Sequence, residues 1–456
     1  MGSHVSSQRI DPLEKIGYGL GDAACNVILQ LVMTFLPFFY TEVFGLEAAA
    51  MGTLLLIVRA ATALADPVAG ALCDRTHTRW GKFRPYMIWL AVPLAVVAVA
   101  VFTTPNASTG AKLAYAYGTY GLLMVLYSAV NVPYCALGAA ITSDSIDRIS
   151  LNGYRFFLAT GGGALVTACT LPLVRLLGRG DDQLGFPLAV AVLTTVATLM
   201  FWGSFSLTKE RVEQRSVESS GLARDLRLLL KNDQWWIIAA INFVLFVALV
   251  IQDGVAVYYV SWYVERPDLI SPFVTTGMIS SMIGALCASR LVGRASKAAA
   301  YASLQAVIVV LSIALFCVDS QQLVLLFALY AVQQFFTQMA SPVLWSMMAD
   351  TADYGEFISG HRITGLTFSG ALLALKLGAA LGGALLGWLL TYFSYESQAA
   401  TQSAGAVQGI VLLFTIIPAF GHLLLILLAG RYRLSHQRCD EIRRELERRT
   451  SSSGAR

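Results

Sequence analysis

The sequence predicts an all-α membrane protein of twelve transmembrane helices in two six-helix bundles, and three observations carry that prediction. Hydrophobic residues make up 56% of the 456 positions and charged residues only 13%, whereas a soluble domain carries about 25% charged residues. Mean hydropathy is +0.64, and apolar runs of about 20 residues, enough to cross a bilayer, recur along the chain. A polar stretch, K-E-R-V-E-Q-R-S-V-E-S-S-G-L-A-R, divides those runs six and six, as two paired bundles require.

In chain order, residues 1–14 form a polar segment whose start, Met1 to His4, reads as a tag remnant; no cleavable signal peptide is expected, since the first apolar run is itself long enough to span. The first bundle, 15–207, holds spans at Ile16–Phe44, Ala48–Cys73, Phe83–Thr104, Ala111–Ala139, Leu151–Leu177 and Phe186–Leu207. A cytoplasmic linker, 208–233, follows. The second bundle, 234–430, holds spans at Gln234–Tyr263, Ser271–Leu291, Lys297–Cys317, Gln321–Ala349, Arg362–Phe393 and Gln408–Gly430. Residues 431–456 form a tail. With both termini cytoplasmic, about 26 of the 32 Lys and Arg fall on the inner side and about four on the outer, a bias that fixes the orientation. For the basic tail, a solvated helix is the expectation and a membrane-surface or closing element the alternative. Six of the seven cysteines lie in apolar runs without metal-ligand spacing and read as packing residues.

The stretch from Arg59 to Pro85 joins an apolar helix pattern carrying Asp66 to a loop with Arg75, Arg79, Lys82 and Arg84. An ionisable group within a span marks an ion or substrate path by default. Asp22, Asn26, Gln30, Arg59, Asn131, Arg155, Asp253, Gln333, Gln334 and Lys376 also sit at depths where lipid would penalise them. Asp22, Asn26 and Gln30 are four apart and share one face of the first span; Thr62 and Asp66 do the same on the second. Tyr127, Tyr134, Trp262 and Trp345 offer flat surfaces for sugar rings, although each fits core packing or an interface belt equally well.

Four motifs in order, K-I-G-Y-G-L-G-D (Lys15 to Asp22), T-R-W-G-K-F-R-P (Thr78 to Pro85), Y-S-A-V-N-V-P-Y (Tyr127 to Tyr134) and M-M-A-D-T-A-D-Y-G-E-F (Met347 to Phe357), resemble the glycoside-pentoside-hexuronide:cation symporters. These are the melibiose-permease branch of the major facilitator superfamily. The resemblance implies alternating access in a bacterial cytoplasmic (inner) membrane, with a sugar taken up together with H⁺, Na⁺ or Li⁺. It also implies a monomer with no cofactor and no nucleic-acid partner.

The match is informative where it breaks. The cation-binding positions of melibiose permeases fall on Thr62, Ala65, Asp66 and Ser128, which leave one carboxylate and two hydroxyls. That is poor for Na⁺. A lone carboxylate in low dielectric is readily neutralised by a proton, so H⁺ coupling through Asp66 is expected, with Asp22 as alternative carrier and a structural pairing of Asp66 with Arg59 as the bland reading. Two galactoside-binding carboxylates correspond to Asn26 and Asn131 and a stacking Trp to Cys135, while the basic Arg155 and Lys376 remain. With Gln30, Tyr127 and Trp345 these make up the candidate sugar site. Basic groups without acids favour an anionic sugar, of the sulfoquinovose or glucuronide type, and Thr62 is similar to the former carriers. N-V-P-Y-C-A-L-G and K-N-D-Q-W resemble instead carriers of neutral α-xylosides such as isoprimeverose.

Asp74, Arg75, Arg79 and Arg84 resemble the superfamily's cytoplasmic charge relay, and Asp350, Asp353, Tyr354, Glu356 and Arg362 its counterpart in the second half, able to pair across the bundles as a gate. The glycines of Gly161–Gly163 and Gly378–Gly383 permit close helix contact. A membrane sensor or lipid-handling protein on the same scaffold is the competing class. Nothing in the sequence has the form of a nucleophile elbow, phosphate loop or metal cluster that a membrane enzyme would use.

Overall fold

In the computed structural model, residues 10–63, 76, 78–142, 145–211, 222–287, 296–361 and 363–453 are described. Their regular structure is helical. The helices are α1 (Pro12–Val43), α2 (Ala48–Ala63), α3 (Arg84–Val101), α4 (Thr109–Ile141), α5 (Ser145–Gly178), α6 (Asp182–Leu207), α7 (Leu222–Leu230), α8 (Asp233–Tyr263), α9 (Ile270–Cys287), α10 (Lys297–Phe316), α11 (Leu323–Ser359), α12 (Thr364–Tyr392), α13 (Ala404–Ala429) and α14 (His436–Ser453). Eleven of them contain a stretch long and apolar enough to cross a bilayer. The remaining expected span begins as α2, and its continuation from residue 64 lies outside the described residues.

The chain divides into two compact units. One comprises Met1–Ser216 with Pro267–Thr275 and Glu396–Ala400; the other comprises Val217–Arg266, Thr276–Tyr395 and Thr401–Arg456. Each has the same central seam. In the first, α1 packs along α5, where a Cβ on Gly162 would come within 2.5 Å of the Ala23 carbonyl oxygen. In the second, α8 packs along α12, where a Cβ on Gly378 would lie 2.3 Å from the Phe243 carbonyl oxygen. Glycine is required at both because the two backbones touch. The C-terminal ends of α1 and α8 also match, each closing in a π-helical turn, Phe39–Val43 and Tyr259–Tyr263.

Helix ends follow local chemistry. Asp11, Asp181, Asn232, Ser296 and Ser403 cap their helices by accepting backbone N–H groups. Asn232 also donates to the Thr351 carbonyl at 2.9 Å, tying α8 to α11. Pro418 has no N–H to give the Phe414 carbonyl one turn earlier, so α13 is interrupted at Thr415 (φ −119°, ψ −74°). The side-chain amide of Gln252 supplies the missing donor, 3.2 Å from the Phe414 oxygen.

Three expectations change. The tenth span does not stop near Ala349: α11 runs 37 residues to Ser359 and ends at Gly360, whose φ of +70° suits glycine. The expected linker contains the amphipathic helix α7, whose Leu229 packs with Trp235 and Ala239. The tail is not merely solvated. Cys439 and Ile442 of α14 are buried in the second unit's core with Met347 and Met348 of α11, and the Arg438 guanidinium lies 5.6 Å over the Phe357 ring.

Candidate substrate-binding site

Within the first unit, the lead helix α1 brings its polar face to α4 and α5. Asp22 meets Arg155 there, Oδ2 to Nε at 2.9 Å, with Nη2 at 3.5 Å from Oδ1. The side chains are 9% and 21% exposed, respectively. Such a two-point contact between guanidinium and carboxylate is strong where water is scarce. Arg155 Nη2 also donates to Cys135 Sγ at 3.6 Å, and Cys135 in turn lies 3.9 Å from Asn131 Oδ1. The guanidinium sits 5.3 Å over the Tyr134 ring, which stacks on Tyr18 and donates its hydroxyl to the Tyr18 carbonyl at 2.8 Å. Asn26 donates to the Asp22 carbonyl at 2.9 Å and Gln30 to Thr34 Oγ1 at 2.6 Å. Tyr127 lies four residues before Asn131 on α4, on the same face.

This arrangement corrects the expectation that Arg155 lacks an acid. The two carboxylates absent at Asn26 and Asn131 are compensated by one at Asp22, a helical turn before Asn26. The contact joins residues 133 apart in sequence, and only the α1–α5 seam brings them together.

On α2, Thr62 is buried and returns its hydroxyl to the Val58 carbonyl at 2.9 Å. Arg59, also buried, donates to Tyr120 Oη at 3.0 Å and to Met33 Sδ at 3.3 Å. Ser128 is buried on α4. Asp66 lies outside the described residues, as do Asp74, Arg75 and Arg362. In the second unit, Trp345 on α11 is 42% exposed and Lys376 on α12 half-buried.

Of the expected gate residues, Asp350 is bound by Lys297 of its own unit at 2.6 Å, both side chains being almost wholly buried. Tyr354 packs beside the core cluster that holds the tail helix, while Asp353 and Glu356 lie on the same last turns of α11. Arg79 lies 4.5 Å over the Trp80 ring, and Arg84 donates to the Phe205 and Trp80 carbonyls at 3.2 Å.

A second polar centre escaped the sequence reading. The backbone N–H groups of Lys82, Phe83 and Arg84 all donate to the Glu210 carboxylate, at 2.8, 2.8 and 3.0 Å. Buried Glu14 receives the Lys209 N–H at 3.0 Å and both Arg211 guanidinium nitrogens at 2.7 and 2.8 Å. These charge-assisted bonds hold Arg211 protonated beyond the usual arginine range, and the Arg211 N–H reaches the Ala140 carbonyl at 2.9 Å. Lys209-Glu210-Arg211 thus pins the start of α1, the start of α3 and the end of α4. The signal was Gly81, whose φ of +110° and contact with Glu210 exclude a side chain.

Residues 17–436 match the family described as MFS/sugar transport protein. The inner membrane symporter YicJ of Escherichia coli (strain K12) is 42% identical over 428 residues, covering 94% of this chain and 93% of the relative. The isoprimeverose transporter of Lactiplantibacillus pentosus is 34% identical over 412 residues, 90% and 86% of the two chains. A glucuronide carrier protein homolog of Escherichia coli (strain K12) is 28% identical over 439 residues, 95% of each. Among solved structures, a D-xylose-proton symporter aligns over 92% of this chain and 97% of its own with a TM-score of 0.64 at 14% identity, a likeness of fold alone. The chain is a multi-pass membrane protein of the MFS/sugar transport family, in its glycoside-pentoside-hexuronide:cation symporter branch.

Proposed function

We propose that this protein imports a neutral glycoside of the α-xyloside type together with a proton, by alternating access, with both termini in the cytoplasm. The single observation that supports the neutral substrate is the Asp22–Arg155 pair. An arginine already matched by a carboxylate adds no net charge, so its free donor edge, with Asn131 and the Tyr134 and Tyr127 rings beside it, suits hydroxyls and a sugar C–H face. Asp66 is the intended proton carrier, a reading that rests on its place in the second span and on the poor Na⁺ ligand set of Thr62 and Ser128. Arg155 orients the sugar while Asp22 keeps the guanidinium fixed and prevents it from recruiting a stray anion.

A second reading, an anionic sugar, draws on Lys376, a half-buried lysine within the α12 span.

The test is uptake into proteoliposomes under an inward proton gradient, with labelled methyl α-xyloside, methyl β-glucuronide, sulfoquinovose and methyl α-galactoside as probes. Accumulation of the xyloside, abolished by Arg155→Gln and by Asp66→Asn, supports the proposal. Accumulation of the acids alone overturns the neutral-substrate reading, and accumulation that follows a Na⁺ gradient at fixed pH overturns proton coupling.

A further inference from the structure

Asp22, Asp253 and Asp350 lie inside apolar helices, and the protein treats them differently. Asp22 is matched by Arg155 at 2.9 Å and Asp350 by Lys297 at 2.6 Å. Asp253, on α8 between the aromatic ends marked by Trp235 and Trp262, has no cation within ion-pair distance among the described residues. The group beside it is the neutral amide of Gln334 on α11, which donates to the Tyr330 hydroxyl at 3.0 Å.

The neighbouring residue sets the comparison. Gln252 is wholly engaged in structural work, its amide bonded to Gln333 Oε1 and to the Phe414 carbonyl, each at 3.2 Å, while Gln333 donates to Ser312 at 2.8 Å. That network is closed and buried. Asp253 and Gln334 follow one residue later on their helices, about 100° around each axis, and Asp253 is only half-buried. Its flanks on α8, Val250, Ile251, Gly254 and Val255, are buried and apolar.

We propose that Asp253 is a second proton-binding carboxylate of the transport cycle, housed in the second six-helix unit. An unpaired carboxylate inside a span costs several kcal/mol, and binding one proton removes that cost. The step forms an O–H bond on one carboxylate oxygen and breaks one in a water molecule's hydronium. Release reverses it on the other side. Asp22 and Asp350 cannot take this part without surrendering an ion pair. α8 packs against α7, α11, α12 and α13. From these, among the described residues, Tyr330 is the titratable side chain beside Asp253, and His422 of α13 is turned to Gln305 Oε1 at 2.6 Å.

The proposal rests on the proton-coupled reading above. Its test uses the full chain in proteoliposomes with labelled methyl α-xyloside. Asp253→Asn is expected to keep xyloside exchange across equilibrated vesicles but to lose accumulation under an inward proton gradient, and Asp253→Glu to restore it. In infrared difference spectra taken across a pH titration in lipid, the carboxyl signal should hold a contribution that is lost in Asp253→Asn and kept in Asp22→Asn and in Asp66→Asn. If wild-type protein itself fails to respond to the proton gradient, the coupling reading falls and this proposal with it. If wild-type and Asp253→Asn accumulate xyloside equally, only the role of Asp253 is overturned. Loss of exchange in Asp253→Asn also overturns it, by making the residue a substrate ligand or a structural group.

Discussion

Glu210 offers the sharpest test of how the ends of α1, α3 and α4 are held. Its half-buried carboxylate accepts three backbone N–H groups at the start of α3, the orphan donors that every helix leaves there. Each charge-assisted bond is worth about 1.5–3 kcal/mol, and a negative group at a helix N-terminus adds about 0.3–1 kcal/mol. Water can re-form part of this at a partly open site, so Glu210→Ala should cost about 2–4 kcal/mol net. Glu210→Gln, which keeps one acceptor oxygen, should cost about half as much. The assay is hydrogen exchange of the Lys82, Phe83 and Arg84 amides in detergent, alongside thermal unfolding. A loss of 2 kcal/mol corresponds to exchange faster by about 30-fold. Unchanged exchange at these three amides in Glu210→Ala, with unfolding at the wild-type temperature, would refute the reasoning.

The seams, the ion pair and the tail give three further expectations. Gly162→Val and Gly378→Val should each lower the thermal midpoint by overpacking worth about 1–3 kcal/mol or more, whereas Gly161→Ala, with nothing within 4 Å of its Cβ, should leave it unchanged. Asp22→Asn alone should destabilise by about 3–5 kcal/mol, and Asp22→Asn with Arg155→Met by less, because the single change strands a charge; equal losses in a thermal-shift double-mutant cycle would argue against the pair. Ile442→Asp should undock α14, read as faster proteolysis of the tail with the membrane-embedded core intact.

How much of this the sequence disclosed depends on whether the signal was local. Spans were legible because bilayer thickness acts on short windows. The spacing of Asp22, Asn26 and Gln30 likewise gave their common face. The partner of Asp22 was not legible, since Arg155 is brought to it by a seam of glycines and not by any pattern near either residue. The partner of Asp350 was equally hidden, since Lys297 lies 53 residues away on α10. For the tail, many charges hid the stripe of Cys439, Ile442 and Leu446, which the helix period would have revealed. Glu210 was read as one charge in a linker because its three partners are backbone groups, which carry no side-chain signature.

The π-helical turns that close α1 and α8 have a consequence for length variation. Each winds one residue more into its turn than an α-helix would, so a chain shortened by one residue within Phe39–Val43 or Tyr259–Tyr263 can relax into ordinary helix without shifting what precedes it. The same deletion between Gly19 and Asp22 would swivel the aspartate by about 100° away from its arginine. Insertions and deletions among natural variants of this chain should therefore gather at the C-terminal tips of α1 and α8 and avoid the stretch beneath them.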